Sequence, residues 1–423
     1  MRRWLQVLFV LCLVIGLLEP VRPCAVQGDT VYVRKHVSIL YDNSGSMKEG
    51  NQSGENNLKW CYASYAAQVF TGLLNDTDSL SITFMDGAPL KNLNLDGLRQ
   101  DAVSAVYDRT TTANADTPIS QIGVALSVLQ EEGLQAGLGA NAAGEQYWLV
   151  LTTDGVFREN SVNLSVERVT NELESILEKY PDLHVVYFGI GTQNDNSASK
   201  AVDFRDGSSV DKALLDRLHS HPNFTAVYAE SQEQIVATMQ ALSNQISGRY
   251  SVSNNYEVVG NQIRIYLSGE GSPIRNIAVM AQETNAKLLS ATAEDGSALV
   301  LDREAQIRYP YNAGYSNVPN GTLGGYVALI TGRTGEKLPN GTVTLTFSEP
   351  IDKENISLMY EPAIHIQLAV ERKTIGGQWE TVPEYQDLAV GDEVRVGYTV
   401  CEDETGVVLD TGKLFGKTEA TIL

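Results

Sequence analysis

Val37-Ser38-Ile39-Leu40-Tyr41-Asp42-Asn43-Ser44-Gly45-Ser46-Met47 runs a short apolar segment straight into a tight turn rich in oxygen-bearing side chains. An apolar run of this length, closed by Asp, Asn, Ser and Gly, has the pattern of a buried strand ending in a loop. Further runs of the same kind follow at Leu80 to Met85, Tyr147 to Thr152 and Leu183 to Phe188. Between them, Leu58, Tyr62, Tyr65, Val69 and Leu73 recur at helical spacing, as do Ile119, Ile122, Leu126 and Leu129, then Val166, Val169, Leu173 and Ile176. Ile235, Met239, Leu242 and Ile246 mark a final helix. Strands alternating with amphipathic helices predict an α/β domain over 35–247, a doubly wound and mostly parallel sheet with helices on both faces.

In such open sheets ligands sit at the C-terminal ends of the strands, where Asp42 lies. Asp42, Ser44 and Ser46 place one carboxylate and two hydroxyls at alternate positions, and Gly45 lets the backbone curl so that the three oxygens converge. A hard divalent cation suits that donor set, Mg²⁺ first and Mn²⁺ or Ca²⁺ as alternatives. Taken alone, the same residues also spell an ordinary solvated turn.

The pattern Asp42-x-Ser44-x-Ser46 after an apolar strand resembles the metal-ion-dependent adhesion site of the von Willebrand factor type A family. Thr117, in Ala115-Asp116-Thr117-Pro118 ahead of a helix, matches the family's threonine. Asp154, in Leu151-Thr152-Thr153-Asp154-Gly155 at a strand end, matches its second aspartate. The resemblance covers about 35–247 and departs at Asp116, where the family usually has glycine. It implies that Asp42, Ser44, Ser46, Thr117 and Asp154 hold the metal and that an acidic side chain of a protein partner completes the coordination. It also implies a last helix, Ile235 to Ile246, that in some members shifts when the site is filled. The polar stretch 191–209, following a strand that ends on the metal edge, is a candidate specificity loop.

Around this domain the chain changes texture. Arg2 and Arg3, the apolar run Trp4 to Leu18 and the turn formers up to Ala25 have the layout of a signal peptide over 1–25. Pro23 fits a cleavage after Ala25 poorly, so an uncleaved N-terminal anchor is the one membrane attachment left open. Beyond Gly248, period-two segments at Gln262 to Leu267, Tyr326 to Ile330 and Thr342 to Phe347 predict a β-sandwich domain over 253–360, with Asn320-Gly321 and Asn340-Gly341 as turns. Alternation in Ile364 to Val370 and Val394 to Val400 predicts a short or truncated immunoglobulin-like β domain over 361–423.

The chain has 423 residues, 52 acidic against 31 basic, and a net charge of -21, which disfavours nucleic acid and anionic lipid. Its four cysteines include Cys12 inside the signal segment and give no disulfide framework. An aspartate-based phosphotransferase would need a carboxylate at position 44, and Ser44 cannot act as that general acid. No Gly-x-Ser-x-Gly elbow surrounds Ser44, Gly406 to Lys413 has the wrong spacing for a phosphate loop, and Met47 stands where a calcium loop needs glycine. The sequence therefore predicts a secreted or cell-surface binding protein, not an enzyme. Its alternative is a metal-stiffened scaffold or stalk component of a surface assembly.

Overall fold

The computed structural model describes residues 33–44, 47, 59–87, 89–110, 117–137, 145–154, 157–159, 162–190, 212–229, 232–252, 255–267, 273–282, 284–309, 324–332, 337–382, 391–402 and 407–409. The signal segment 1–25, Ser46, Asp116 and the loop 191–209 lie outside them. The described residues fall into two compact units, one ending at Pro362 and the other beginning at Ala363. Among the described residues, no helix is long and apolar enough to cross a membrane.

The first unit is built on a parallel sheet of β1 (Arg34–Tyr41), β2 (Ser79–Phe84), β3 (Glu145–Thr153), β6 (Leu183–Ile190) and β7 (Phe224–Ala229), in the order β2-β1-β3-β6-β7. A two-rung hairpin, β4 (Arg158–Glu159) with β5 (Val162–Asn163), follows β3. Val37 pairs with Leu80 on one side and Trp148 on the other, so the apolar run of β1 occupies the middle of the sheet. Central strands covered on both faces have no solvent side to mark with polar residues, which is why they are continuous apolar runs. From β1 the chain adds β2 on one side and then crosses to β3 on the other. This reversal opens the crevice where doubly wound sheets bind ligands, and Asp42 stands at its rim.

Helices α1 (Lys59–Leu73), α2 (Arg99–Thr110), α3 (Ser120–Glu131), α4 (Val166–Lys179), α5 (Lys212–His219) and α6 (Gln232–Ser247) complete the α/β part. α3 and α4 cover one face, where Ile122, Leu129, Leu149, Val169, Leu173 and Tyr187 form one core. α1 lies on the other face and is buried almost all round, Ser64, Gln68 and Thr71 included. A helix without a polar face must have neighbours on every side, and those of α1 include a second β structure.

That structure is a sandwich. β9 (Tyr256–Val259), β10 (Gln262–Tyr266), β12 (Leu288–Thr292) and β15 (Thr342–Phe347) form one sheet in the order β12-β15-β10-β9. β8 (Tyr250–Val252), β11 (Ile274–Ala281), β13 (Val300–Ile307), β14 (Gly325–Thr331) and β16 (Ile356–Pro362) form the other, in the order β13-β14-β11-β16-β8. Side chains alternate across a strand, and here the alternation serves two cores. Ile277, Val279, Tyr326, Ala328 and Ile330 point between the two sheets. Ala278, Met280, Val327 and Leu329 point into the core that holds Tyr65, Val69, Phe70 and Ile82 of the α/β part. The sandwich and the parallel sheet thus share α1 as a filling.

The second unit contains β17 (Ile364–Lys373), β18 (Trp379–Thr381) and β19 (Val394–Glu402), paired antiparallel in the order β18-β17-β19.

Candidate metal centre

Asp42 leaves the end of β1 with its backbone N–H bonded to the Thr152 carbonyl at 2.9 Å, so the chain is still in sheet register at that point. Its carboxylate is almost fully enclosed, the residue being 1% exposed. Oδ1 accepts from the Ser44 N–H at 2.9 Å, the Asx-type turn that curls the loop back on itself. Oδ2 accepts from the Thr153 hydroxyl at 2.8 Å and from the Asp154 N–H at 3.4 Å. The two strand ends are therefore stitched together through one side chain. Among the described residues, no Lys, Arg or His forms an ion pair with Asp42.

Neighbouring side chains fix the loop from below. Asn43 is completely buried and its Oδ1 accepts from the Met85 N–H at 3.0 Å, tying the loop to the end of β2. Met47 is buried in the core shared by α1 and the sandwich. Tyr41 packs against Phe84 with ring centroids 5.6 Å apart, and burial, with the Asp42 charge beside it, pushes its phenol up from the usual range.

Thr117 is 2% exposed and lies just ahead of α3. Two contacts give the direction of that helix: the Ser38 hydroxyl donates to the Ala125 carbonyl at 2.8 Å, and His36 Nδ1 meets Glu132 Oε2 at 2.7 Å. Moving up β1 from His36 to Ser38 thus means moving back along the α3 segment, which runs antiparallel to the strand. Its N-terminal end, and Thr117 with it, lies at the sheet edge that carries Asp42. Asp154, half-buried, follows Thr153 on the same edge.

Asp42, Ser44, Thr117 and Asp154 therefore occupy one edge of the sheet, and Ser46 lies outside the described residues. Sequence reasoning passed over two members of the arrangement. The motif leaves Asn43 and Thr153 without a role, although a hydroxyl at the end of an otherwise apolar strand is a usable signal that it has a partner there.

The donor set can be tested against a cation. A buried charge is stable only when it is paired or coordinates a metal, and among the described residues Asp42 has neutral donors alone. Hydroxyls and one or two carboxylates are the ligands a hard cation takes when it keeps several waters. Among the described residues, no group of three or more His, Cys, Asp or Glu side chains is placed to hold a metal. Such groups mark thiolate, imidazole or carboxylate-rich centres, and the donor set at Asp42 is of a different, hydroxyl-rich kind. The residues present fit a Mg²⁺-type ion.

No protein-family model matches the chain, and no curated protein matches it in sequence. Among solved structures it is similar to a von Willebrand factor type A protein from Catenulispora acidiphila, at 12% identity and a TM-score of 0.35, over 92% of this chain and 69% of that one. It is also similar to the PilB minor pilin from Streptococcus sanguinis, at 13% identity and 0.35, over 53% of this chain and 63% of that one. The pilus adhesin SpaC from Lactobacillus rhamnosus GG matches at 10% identity and 0.34, over 89% and 52%. The chain spans less than two thirds of the length of the last two. Likeness at this level adds nothing to what the sheet order already gives: a doubly wound parallel sheet with flanking helices, followed by antiparallel sheets.

Proposed function

We propose that the α/β part is a divalent-cation-dependent binding module that grips a protein partner by an acidic side chain, and that the chain works as a secreted or cell-surface binding protein and not as an enzyme. The observation that carries this reading is the enclosed Asp42 carboxylate, 1% exposed and held by the Ser44 N–H, the Thr153 hydroxyl and the Asp154 N–H, with no cationic partner among the described residues. Asp42, Ser44, Ser46, Thr117 and Asp154 are the residues that would hold the ion. When bound, Mg²⁺ would supply an electrophilic coordination position for an outside carboxylate. The chain's own part is to set the loop rigidly through Asn43 and Met47, and to keep Asp42 oriented from both sides. A net charge of -21 sets nucleic acid aside as partner and makes a bridging cation useful for meeting an acidic group.

A second reading, a metal-stiffened scaffold, is favoured by the core that α1 shares with the sandwich, since shared packing of this kind suits a stalk as well as a receptor. Calorimetric titration with Mg²⁺, followed by a pull-down of surface proteins with and without EDTA, separates the two. The binding module requires Mg²⁺ uptake that Asp42→Ala removes, and capture that both EDTA and Asp42→Ala abolish. Capture that persists unchanged in EDTA and in the variant refutes it. Metal-dependent melting without metal-dependent capture favours the scaffold.

A further inference from the structure

At the sheet edge opposite Asp42, a buried arginine carries more donors than its neighbours use. Asp78 stands just ahead of β2 and its Oδ1 accepts from the Lys35 N–H at 3.1 Å, so this corner gathers the starting ends of β1 and β2. α1 ends here at Leu73, and α2 begins here at Arg99. Arg99 is 0% exposed, and its Nη1 donates to the Thr71 carbonyl at 2.9 Å and to the Leu74 carbonyl at 2.7 Å. Carbonyls at a helix end lack partners within the helix, and the negative end of the dipole favours a cation. One nitrogen of the guanidinium thereby caps α1.

The other two nitrogens are differently placed. Nε and Nη2 of Arg99 are enclosed and have no hydrogen-bond partner among the described residues. Together they form one edge of the guanidinium, the planar fork that takes an anion on two N–H bonds at once. Every other described side chain with an enclosed, unpartnered polar atom contributes a single such atom. A buried donor without an acceptor costs free energy, and more so when the donor is charged.

The charges around Arg99 do not supply the acceptor. Arg303 of β13 and Arg249, just after α6, add positive charge beside it, and the carboxylates that act on it are Asp76 and Asp78. Asp76 is paired with Arg303 at 2.6 Å. Asp78 accepts from the Lys35 N–H on Oδ1 and from the Asn75 N–H on Oδ2, the latter at 3.3 Å. Among the described residues, no carboxylate forms an ion pair with Arg99. Burial, with Arg303 and Arg249 alongside, pushes its pKa down to about 10 against the pull of Asp76 and Asp78. In a chain of net charge -21, this corner is locally too positive for the charge it encloses.

Two amide clamps hold the corner in shape. Gln100, next along α2, accepts from the Gln306 N–H at 2.7 Å and donates to the Gln306 carbonyl at 3.3 Å. Gln68 on α1 does the same with Arg308, at 3.0 and 2.8 Å. Both clamps sit at the end of β13, the strand that carries Arg303. α1, α2 and Arg303 therefore keep fixed positions around the fork.

We propose that the Nε and Nη2 edge of Arg99 binds a small inorganic anion, chloride in the first place, enclosed where α1, α2 and β13 meet. A halide accepts from both N–H groups at once and brings negative charge to where Arg99, Arg249 and Arg303 lie close. Full enclosure favours a monatomic ion over an oxyanion, whose remaining oxygens would need donors of their own. The site does not involve the Asp42 loop. Crystals of the full chain soaked in bromide are expected to show an anomalous peak in contact with Arg99 Nε and Nη2. In solution, the urea midpoint is expected to rise along a saturation curve as chloride or bromide replaces gluconate at constant ionic strength. Arg99→Gln should lose that increment, whereas Arg264→Gln, on an exposed ion pair with Glu257, should keep it. If Arg99→Gln does not fold, the soak and the wild-type titration decide. A water on the two nitrogens in place of bromide, equal wild-type midpoints in halide and gluconate, or an Arg99→Gln chain that keeps the increment overturns the proposal.

Discussion

The Thr153 hydroxyl donates to Asp42 Oδ2 at 2.8 Å across 111 positions of sequence. It joins the C-terminal ends of the two central strands on a carboxylate that has no solvent to fall back on. A hydrogen bond to a charged group is worth roughly 1.5–3 kcal/mol net. Thr153→Val keeps the shape of the side chain and removes the donor, so it should lower the unfolding free energy by about that amount in urea titrations. Mg²⁺ affinity should fall in the same variant, because Asp42 loses one of its orienting bonds. A Thr153→Val protein with wild-type stability and affinity would show that the bond does not hold the carboxylate in place.

Asp42→Asn tests the charge apart from the shape. Without metal, wild type carries an enclosed carboxylate that, among the described residues, neutral donors alone satisfy, and removing that charge relieves a desolvation cost. In EDTA the variant should therefore melt at the same temperature as wild type or above it. With Mg²⁺ at 100 times its Kd, wild type should gain about 2.7 kcal/mol from binding and the variant nothing. Scanning calorimetry in both buffers reads the crossing directly; a variant that is less stable than wild type in EDTA would mean that the negative charge itself has a partner in the native state.

Much of the α/β part was legible because its strands and helices obey simple periods. Val37 to Tyr41, Leu80 to Met85, Tyr147 to Thr152 and Leu183 to Phe188 mark four of the five strands of the parallel sheet, and the stripes at Ile119 to Leu129 and Val169 to Ile176 face one core. The shared core went unread, although Ile277 to Ala281 and Tyr326 to Ile330 carried a signal for it. Both are unbroken apolar runs, Tyr326 to Ile330 despite its grouping above with the period-two segments, whereas Thr342, Thr344 and Thr346 alternate with apolar neighbours. A sandwich strand with one wet face alternates, and one without alternation has a second neighbour. Ser64, Gln68 and Gln100 were equally silent in the sequence, since a polar residue on a helix reads as solvated until the strand it bonds to is known.

At Gly72, α1 packs directly against the sandwich. A Cβ placed there would lie 2.3 Å from Val327 Cγ2, and Val327 is fully buried. Replacing Gly by Ala inside a helix ordinarily gains about 1 kcal/mol, while overpacking a filled core costs about 1–3 kcal/mol. Overpacking should win because the neighbour has nowhere to move, so Gly72→Ala is expected to be net destabilising. Combined with Val327→Ala, it should cost less than the sum of the two single changes, by at least about 0.5 kcal/mol. Strict additivity in a double-mutant cycle would mean that the helix and the sheet are not in contact at this point in solution.

His184 gives the first unit a pH dependence whose sign can be worked out. Its ring stacks on Trp148 with centroids 4.2 Å apart and 14° between planes, and burial lowers its pKa from 6.5, with Asp182 acting in the opposite sense. The folded state therefore holds this proton less tightly than the unfolded state. Stability from the neutral ring is complete above the unfolded pKa and is lost as pH falls from there through the lowered folded value. Urea midpoints measured from pH 8 down to pH 5, about 6.5 being the point where the unfolded imidazole titrates, should decline for wild type more steeply than for His184→Gln. The difference between the two slopes isolates this ring from every other titrating group. Parallel slopes would show that His184 takes its proton in the folded chain as readily as in the unfolded one.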